Sequence, residues 1–321
     1  MQMILPSPKA PVRLNKAIAA SIGAAAVLCG AALLLPRLVG TPSRQPDENG
    51  MYEQNGYWVQ VMGEENPAGA EQFAQKLQKL KANLLTENNH VYYAIIPDKS
   101  HYLSREGWPV LDLEQMQQTV RKNLPADFVN IDLQNALTLE SYYKTDGHWR
   151  QEKLQPVLDA LGSAMGFSAD CSNWTANTLD PFVGSYGKYI SGAAPEEDLV
   201  YLTSPFTETA KVDNFQYPED TSVYSLDKLS TNNAYDVFLN GATPLVTIEN
   251  PNASTDRSLV IFRDSYSSSL APLLCGTYRT ITLIDIRYMV SGLVPQYVTF
   301  TDQDVLFLYS SWVVNQSSML R

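Results

Sequence analysis

Residues able to build metal centres or disulfide frameworks are scarce in this chain, which holds three cysteines and three histidines among 321 residues. Cys29, Cys171 and Cys275 are far apart, and so are His90, His101 and His148. The short ligand spacings of a structural zinc site are therefore missing, and no metal or cofactor is expected. Cys171 and Cys275 allow one disulfide in an oxidising compartment, but nothing in the sequence compels it. Excess positive charge is also lacking, because 34 acidic residues outnumber 23 basic ones. Nucleic acid is excluded as an expected partner on that ground, since phosphate binding needs a basic surface. No segment recurs at a period of about 20 to 50 residues, so repeat architectures have no support. Charged residues make up 18 % of the chain against 45 % hydrophobic, a balance that excludes disorder as the main state and supplies one sizeable core.

Long apolar runs are likewise rare, with one exception. Ala17 to Leu35 holds no charge and only Ser21 as a polar side chain; as a helix it spans roughly 28 Å, close to the hydrocarbon thickness of a bilayer. Lys9, Arg13 and Lys16 precede it, which puts the N-terminus in the cytoplasm. The expected organisation is a cytoplasmic tail (1–16), a single-pass transmembrane anchor (17–35), a linker (36–55) and an extracytoplasmic domain (56–321). A cleaved signal peptide shares the basic start and apolar stretch, yet this run is long and no clean Ala-x-Ala site follows it. Leu28 stands where a small residue precedes a lipidated cysteine, which argues against lipidation of Cys29. Beyond residue 37 the chain carries 34 acids against 19 bases, a net charge of −15. Such a surface repels polyanions at a distance.

Helical and buried-strand patterns then alternate. Phe73, Leu77, Leu80 and Leu84 share one face of a helix beginning near Gly69. His90 to Pro97 is a nearly continuous apolar run, the pattern of a strand covered on both faces of a parallel sheet. A helix over Asp112–Asn123, a strand over Phe128–Leu133 and an amphipathic helix carrying Leu154, Val157, Leu158, Leu161 and Met165 follow. Strands at Leu259–Phe262, Thr280–Ile286 and Val305–Tyr309 complete an α/β domain with at least five core strands. Residues 168–257 differ in character: Asn, Asp, Ser, Thr and Pro are frequent, with strand-like runs at Asp236–Leu239 and Leu245–Ile248 around Asn240-Gly241. We read them as a β-rich insertion, with an irregular lid as the alternative.

Chemistry begins with a base, and His148 stands apart from the other two histidines. Thr145-Asp146-Gly147-His148-Trp149 sets a carboxylate two positions before an imidazole, just ahead of a helix. Residues two apart do not face each other on a helix, so cooperation requires a loop, which Gly147 permits. There Asp146 can fix the His148 tautomer and stabilise its imidazolium. Taken alone, the motif reads first as helix capping and packing. The second half is the apolar strand Leu259–Phe262 running into Arg263-Asp264-Ser265 and a helix, which puts Ser265 at the carboxyl edge of the sheet, where open α/β proteins hold their sites. Ser265 also reads as an N-cap when that segment is taken alone.

Together these segments resemble the SGNH-hydrolase-like proteins of alginate O-acetylation and their relatives, the DHHW proteins, named for an Asp-His-His-Trp motif. The resemblance covers most of residues 56–321. Besides the two motifs it includes Ile96-Pro-Asp-Lys99, Ile284-Asp-Ile-Arg-Tyr288 and Asp304-Val-Leu-Phe-Leu-Tyr309, in the expected order. It implies a three-layer, flavodoxin-like α/β sandwich with a mainly parallel sheet, in which Ser265 is the nucleophile and Asp146 with His148 the base system. Gly147 departs from the first His of the motif, and Arg263 with Tyr266 replaces the flanks of Gly-Asp-Ser-Phe. The expected activity is O-acyl transfer, acetyl foremost, to a cell-surface or exported polysaccharide, with a multi-spanning membrane acyltransferase as acyl donor. An acetylesterase and a non-catalytic polysaccharide-binding protein are the alternatives. Lys99, Arg287, Tyr288 and Trp149 are read first as structural residues.

Overall fold

The computed structural model describes residues 45–61, 65–190, 192–231 and 233–321. The predicted spanning segment 17–35 lies outside them, and among the described residues no helix is long and apolar enough to cross a membrane. The chain enters through a hairpin of β1 (Met51–Gln54) and β2 (Tyr57–Gln60). Residues 51–54 were expected in the linker. Asn55-Gly56, both at positive φ of 55° and 82°, instead makes the tight turn that pairs two strands, and Met51 and Tyr52 are buried.

Helix α1 (Gly69–Leu84) precedes β3 (His90–Ile96), and α2 (Leu113–Asn123) precedes β4 (Phe128–Asn130). The Asp112 side chain accepts a hydrogen bond from the Gln115 amide at 3.0 Å and so starts α2. Helix α3 (Gln155–Met165) stops at Gly166, whose φ of 71° is left-handed. The region 168–257 supplies β5 (Thr175–Phe182), β6 (Glu197–Thr203), α4 (Pro205–Thr209), β7 (Lys211–Asn214) and β8 (Leu245–Glu249). Then come β9 (Ser258–Arg263), α5 (Ser267–Leu274), β10 (Thr280–Ile284), β11 (Asp304–Ser310) and α6 (Ser311–Asn315).

The central sheet has the order β4-β3-β11-β9-β10-β8-β7. Its first five strands are parallel, and β8 and β7 extend it in antiparallel fashion at one edge. The period of two in a strand sends alternate side chains to opposite faces. Val91, Tyr93 and Ile95 of β3 therefore meet Phe73, Leu77 and Leu80 of α1 and Met116 and Val120 of α2. Tyr92, Ala94 and Ile96 meet Leu158 and Leu161 of α3 and Leu270 and Leu273 of α5 on the other face. Helices thus cover both sides of a mostly parallel sheet, as the apolar runs predict.

The region 168–257 is not one β-rich body. Strands β5 and β6 pair in a sheet of their own, whereas β7 and β8 belong to the main sheet. The run Asp236–Leu239, read as strand-like, forms part of a 3-10 turn (Ala234–Val237). Leu239 and Asn240 follow at positive φ of 54° and 55°, which breaks any extended path. Cys171 and Cys275 are buried free thiols, so the disulfide that the sequence allowed is absent.

Phe307 of β11 is fully buried against Phe262 and Phe128. Phe307→Ala is expected to lower the urea-unfolding free energy by about 3–5 kcal/mol; a loss under about 1 kcal/mol would refute this account of the core.

Candidate active site

The strand β9 carries the nucleophile candidate to the carboxyl edge of the sheet. Its last residue, Arg263, is fully buried and donates to the Ser268 Oγ at 2.7 Å and to the carbonyls of Gly241 and Thr243 at 3.2 and 3.3 Å. Arg263 thereby ties the strand end to a neighbouring turn and to the start of α5. Asp264 accepts from the Tyr266 amide at 3.2 Å and from the Ser310 amide, at the end of β11, at 2.7 Å. Asp264 is thus occupied by backbone and does not compete for His148. Ser265 stands in the bend between.

The base loop is a tight excursion closed by a bridge between Tyr142 and Trp149. Lys99, immediately after β3, is completely buried, and its Nζ donates to the carbonyls of Tyr143, Lys144 and Asp146 at 2.9, 3.2 and 2.8 Å. Glu197 of β6 accepts from the amides of Lys144 and Thr145 at 2.9 and 2.8 Å. The turn 184–186 clasps the same loop, with the Gly184 amide donating to Thr145 Oγ1 and the Tyr186 amide to the Thr145 carbonyl. A Cβ on Gly184 would collide with the Thr145 backbone and the Asp146 Cβ, so only glycine fits.

This scaffold brings Asp146, His148 and Ser265 together. Asp146 Oδ1 lies 2.6 Å from His148 Nδ1, and His148 Nε2 lies 2.7 Å from Ser265 Oγ. The Asp146 carboxylate also accepts from the amides of His148 and Ser185 at 2.9 and 2.8 Å. Tyr235 stacks on the imidazole with centroids 3.9 Å apart and planes 8° from parallel. A cavity of about 140 Å³ opens over these groups, walled by His148, Ser265, Asp98, Tyr186, Arg287 and Trp312 among others. A larger cavity, about 700 Å³ around Leu85, His90 and Phe128, lies at the amino ends of β3 and β4 and holds no paired nucleophile and base.

The fold is shared with a DHHW-family protein. The structure of that protein, from Eubacterium siraeum, superposes with a TM-score of 0.68 at 20 % identity, over 84 % of this chain and 94 % of that one. Bacillus cereus PatB1 superposes at 0.62 with 20 % identity, over 82 % and 96 % of the two chains. PatB1 with a sulfonyl adduct gives 0.61 at 17 % identity, over 82 % and 95 %. No protein-family model and no curated protein sequence matches the chain. The likeness to the DHHW protein is thus one of fold, spanning the described domain.

Among the other residues singled out in the DHHW-like motifs, Trp149 and Arg287 have structural partners. Trp149 is buried and donates through Nε1 to the Tyr266 carbonyl at 3.0 Å and to Ser269 Oγ at 2.9 Å, so it does not present a face to a sugar. Arg287 pairs with Asp285 at 2.6 Å while lining the cavity. Tyr288 is exposed beside it. Sequence reasoning missed Tyr235, Glu197 and the turn Gly184–Tyr186. All lie in the irregular region 168–257, where no local pattern marks them.

Burial works to raise the Asp146 carboxyl. The His148 charge beside it, with hydrogen bonds from the His148 ring and from the amides of Ser185 and His148, outweighs burial and holds the group well below the usual carboxylate range. Burial pushes the Lys99 ammonium down to about 8, partly countered by the carboxylates of Asp98, Asp146 and Glu197. It remains cationic at neutral pH.

Two outcomes follow from this electrostatic arrangement. An unfolded aspartate titrates near about 3.9, so Asp146, titrating lower when folded, contributes stability that is complete above that value and lost as pH falls through the folded value. The unfolding free energy of wild type is expected to drop from about pH 5 downward more steeply than that of Asp146→Asn; parallel curves would contradict the assignment. Lys99→Met leaves the Tyr143 and Asp146 carbonyls without their donor, the Lys144 carbonyl keeping the Trp58 amide, and is expected to cost at least ~2 kcal/mol in denaturant melts.

Proposed function

We propose that the chain is a membrane-anchored, extracytoplasmic serine O-acyltransferase that moves a short acyl group, acetyl foremost, to a hydroxyl of a cell-surface or exported polysaccharide. One observation carries the reading: the unbroken hydrogen-bond chain Asp146–His148–Ser265, ending in a serine on the floor of a small cavity. A fold-retaining binding protein has no need of a serine held 2.7 Å from an oriented imidazole.

Ser265 Oγ attacks the carbonyl carbon of the acyl donor while its proton passes to His148 Nε2. The donor's leaving oxygen takes that proton as its bond to carbon breaks, and the acyl group stays on Ser265. An acceptor hydroxyl then gives its proton to His148 and attacks the same carbon. Ser265 departs and recovers the proton. Asp146, already ionised, stabilises the imidazolium in both halves. Ser265, Ser311 and Trp312 line the cavity; Ser311 and Trp312 open α6, and the amides of a helix's first turn have no intrahelical acceptor, the type of donor that a developing oxyanion requires. Trapping of PatB1 as a sulfonyl adduct supports the reading by analogy of fold, because sulfonyl reagents capture activated nucleophiles. The acyl donor in this scheme is a multi-spanning membrane acyltransferase beside the anchor 17–35.

Intact-mass analysis after p-nitrophenyl acetate or a sulfonyl fluoride is expected to find one adduct on wild type and none on Ser265→Ala. His148→Gln is expected to slow adduct formation by ~100-fold or more. A wild-type chain that takes up no group from any activated ester would sink the proposal. Release of acetate alone in the presence of every candidate glycan would turn it into an esterase.

A further inference from the structure

The base loop departs from Asp-His-His-Trp at Gly147, and the space that a side chain would fill there is taken. A Cβ on Gly147 would come within 2.6 Å of the Tyr186 hydroxyl. Both residues line the small cavity with His148 and Ser265. Tyr186 is 94 % buried, its relative exposure being 6 %. It is held by the hydrogen bond that its backbone N–H donates to the Thr145 carbonyl at 3.0 Å and by the Lys99 ammonium 5.0 Å from its ring centroid. Among the described residues nothing hydrogen-bonds its hydroxyl, and that oxygen is absent from the fully enclosed, unpartnered polar atoms of the interior, such as the Tyr143 and Tyr309 hydroxyls. The phenol therefore faces the cavity from the His148 side. Burial, reinforced by the carboxylates of Asp98 and Asp146, holds it protonated well above the ordinary tyrosine range, so it is available as a donor.

An acceptor alcohol must deliver its proton to His148 Nε2, and so it approaches along the flank of the loop that Tyr186 covers. Water, the competing acceptor, has no neighbouring oxygen for a second contact. Resting on the acyl-transfer reading above, we propose that Tyr186 is an acceptor-binding residue, its hydroxyl donating to a ring or hydroxyl oxygen of a neutral saccharide and thereby favouring transfer over hydrolysis. A neutral chain is the acceptor class that the acidic surface, with a net charge of −15 beyond residue 37, repels least at a distance.

Two measurements on the full chain test this. The first omits acyl chemistry: neutral tetrasaccharides of glucose, N-acetylglucosamine and mannose are titrated into Ser265→Ala, with and without Tyr186→Phe. The best-bound sugar is expected to lose about tenfold in affinity when the hydroxyl is removed, the worth of one neutral hydrogen bond. Equal affinities, or no binding of any of the three, would overturn the assignment. The second follows acetyl-Ser265 formed from p-nitrophenyl acetate and reads the ratio of acetylated sugar to free acetate. The ratio is expected to fall about tenfold in Tyr186→Phe and in Gly147→Ala, whose Cβ displaces the hydroxyl. Transfer and hydrolysis falling in step, at constant ratio, would mark Tyr186 as structural and reject the proposal. Absence of acetyl-Ser265 in wild type would remove the acyl-transfer reading alone, while the titrations still decide the role of Tyr186.

Discussion

Three carbonyl oxygens of one short loop converge on the buried ammonium of Lys99, and the rest of the site is built on that convergence. Of these acceptors only the Lys144 carbonyl has a strand donor as well, the Trp58 amide of β2 at 2.9 Å, and burying the others unpaired is costly. A lysine has three donors on one atom, so a single side chain satisfies three carbonyls and fixes the loop's shape. Desolvation opposes this arrangement, and nearby carboxylates offset it. Once the loop is fixed, Asp146 and His148 have little freedom left, and Ser265 meets them from another strand.

That meeting depends on the parallel sheet. Strands β3, β9 and β11 lie side by side with their carboxyl ends together, so residues 98, 264 and 310 come to one edge although the chain separates them widely. Asp264 links two of those ends through its bond to the Ser310 amide. Lys99, at the third end, holds the base loop. A change in the register of any one strand would move one partner by a residue and send its side chain to the opposite face.

The region between α3 and β9 closes the arrangement. Its hairpin supplies Glu197, its turn supplies Ser185 and Tyr186, and its 3-10 segment supplies Tyr235 against the imidazole. Each acts through position: two take up loop amides and carboxylate oxygens, and one covers the ring. Arg263, which replaces a glycine of the resembled motif, turns inward to bond carbonyls of the adjacent turn, so its bulk leaves the strand end intact.

The sequence by itself determined the α/β class, the buried strands and their helices, because apolar periodicity records which faces are covered. It also pointed to Ser265, His148 and Asp146, two motifs weak in isolation that gain weight from their order and from the resemblance to the DHHW proteins. It placed 51–55 in the linker although Met51–Gln54 is a strand, because four residues are too few to show a period, and it took Asp236–Leu239 as strand-like although it turns, because a short apolar run is equally at home in a buried turn. Only the tertiary structure decided that Asp264 bonds backbone instead of His148, that Lys99 is a clamp, and that Tyr186 fills the space beside Gly147. The physical reason is common to all three: each depends on at least one partner 39 or more positions away, as in the Tyr186 turn against the base loop, and partnership over such separations leaves no period or spacing in the sequence.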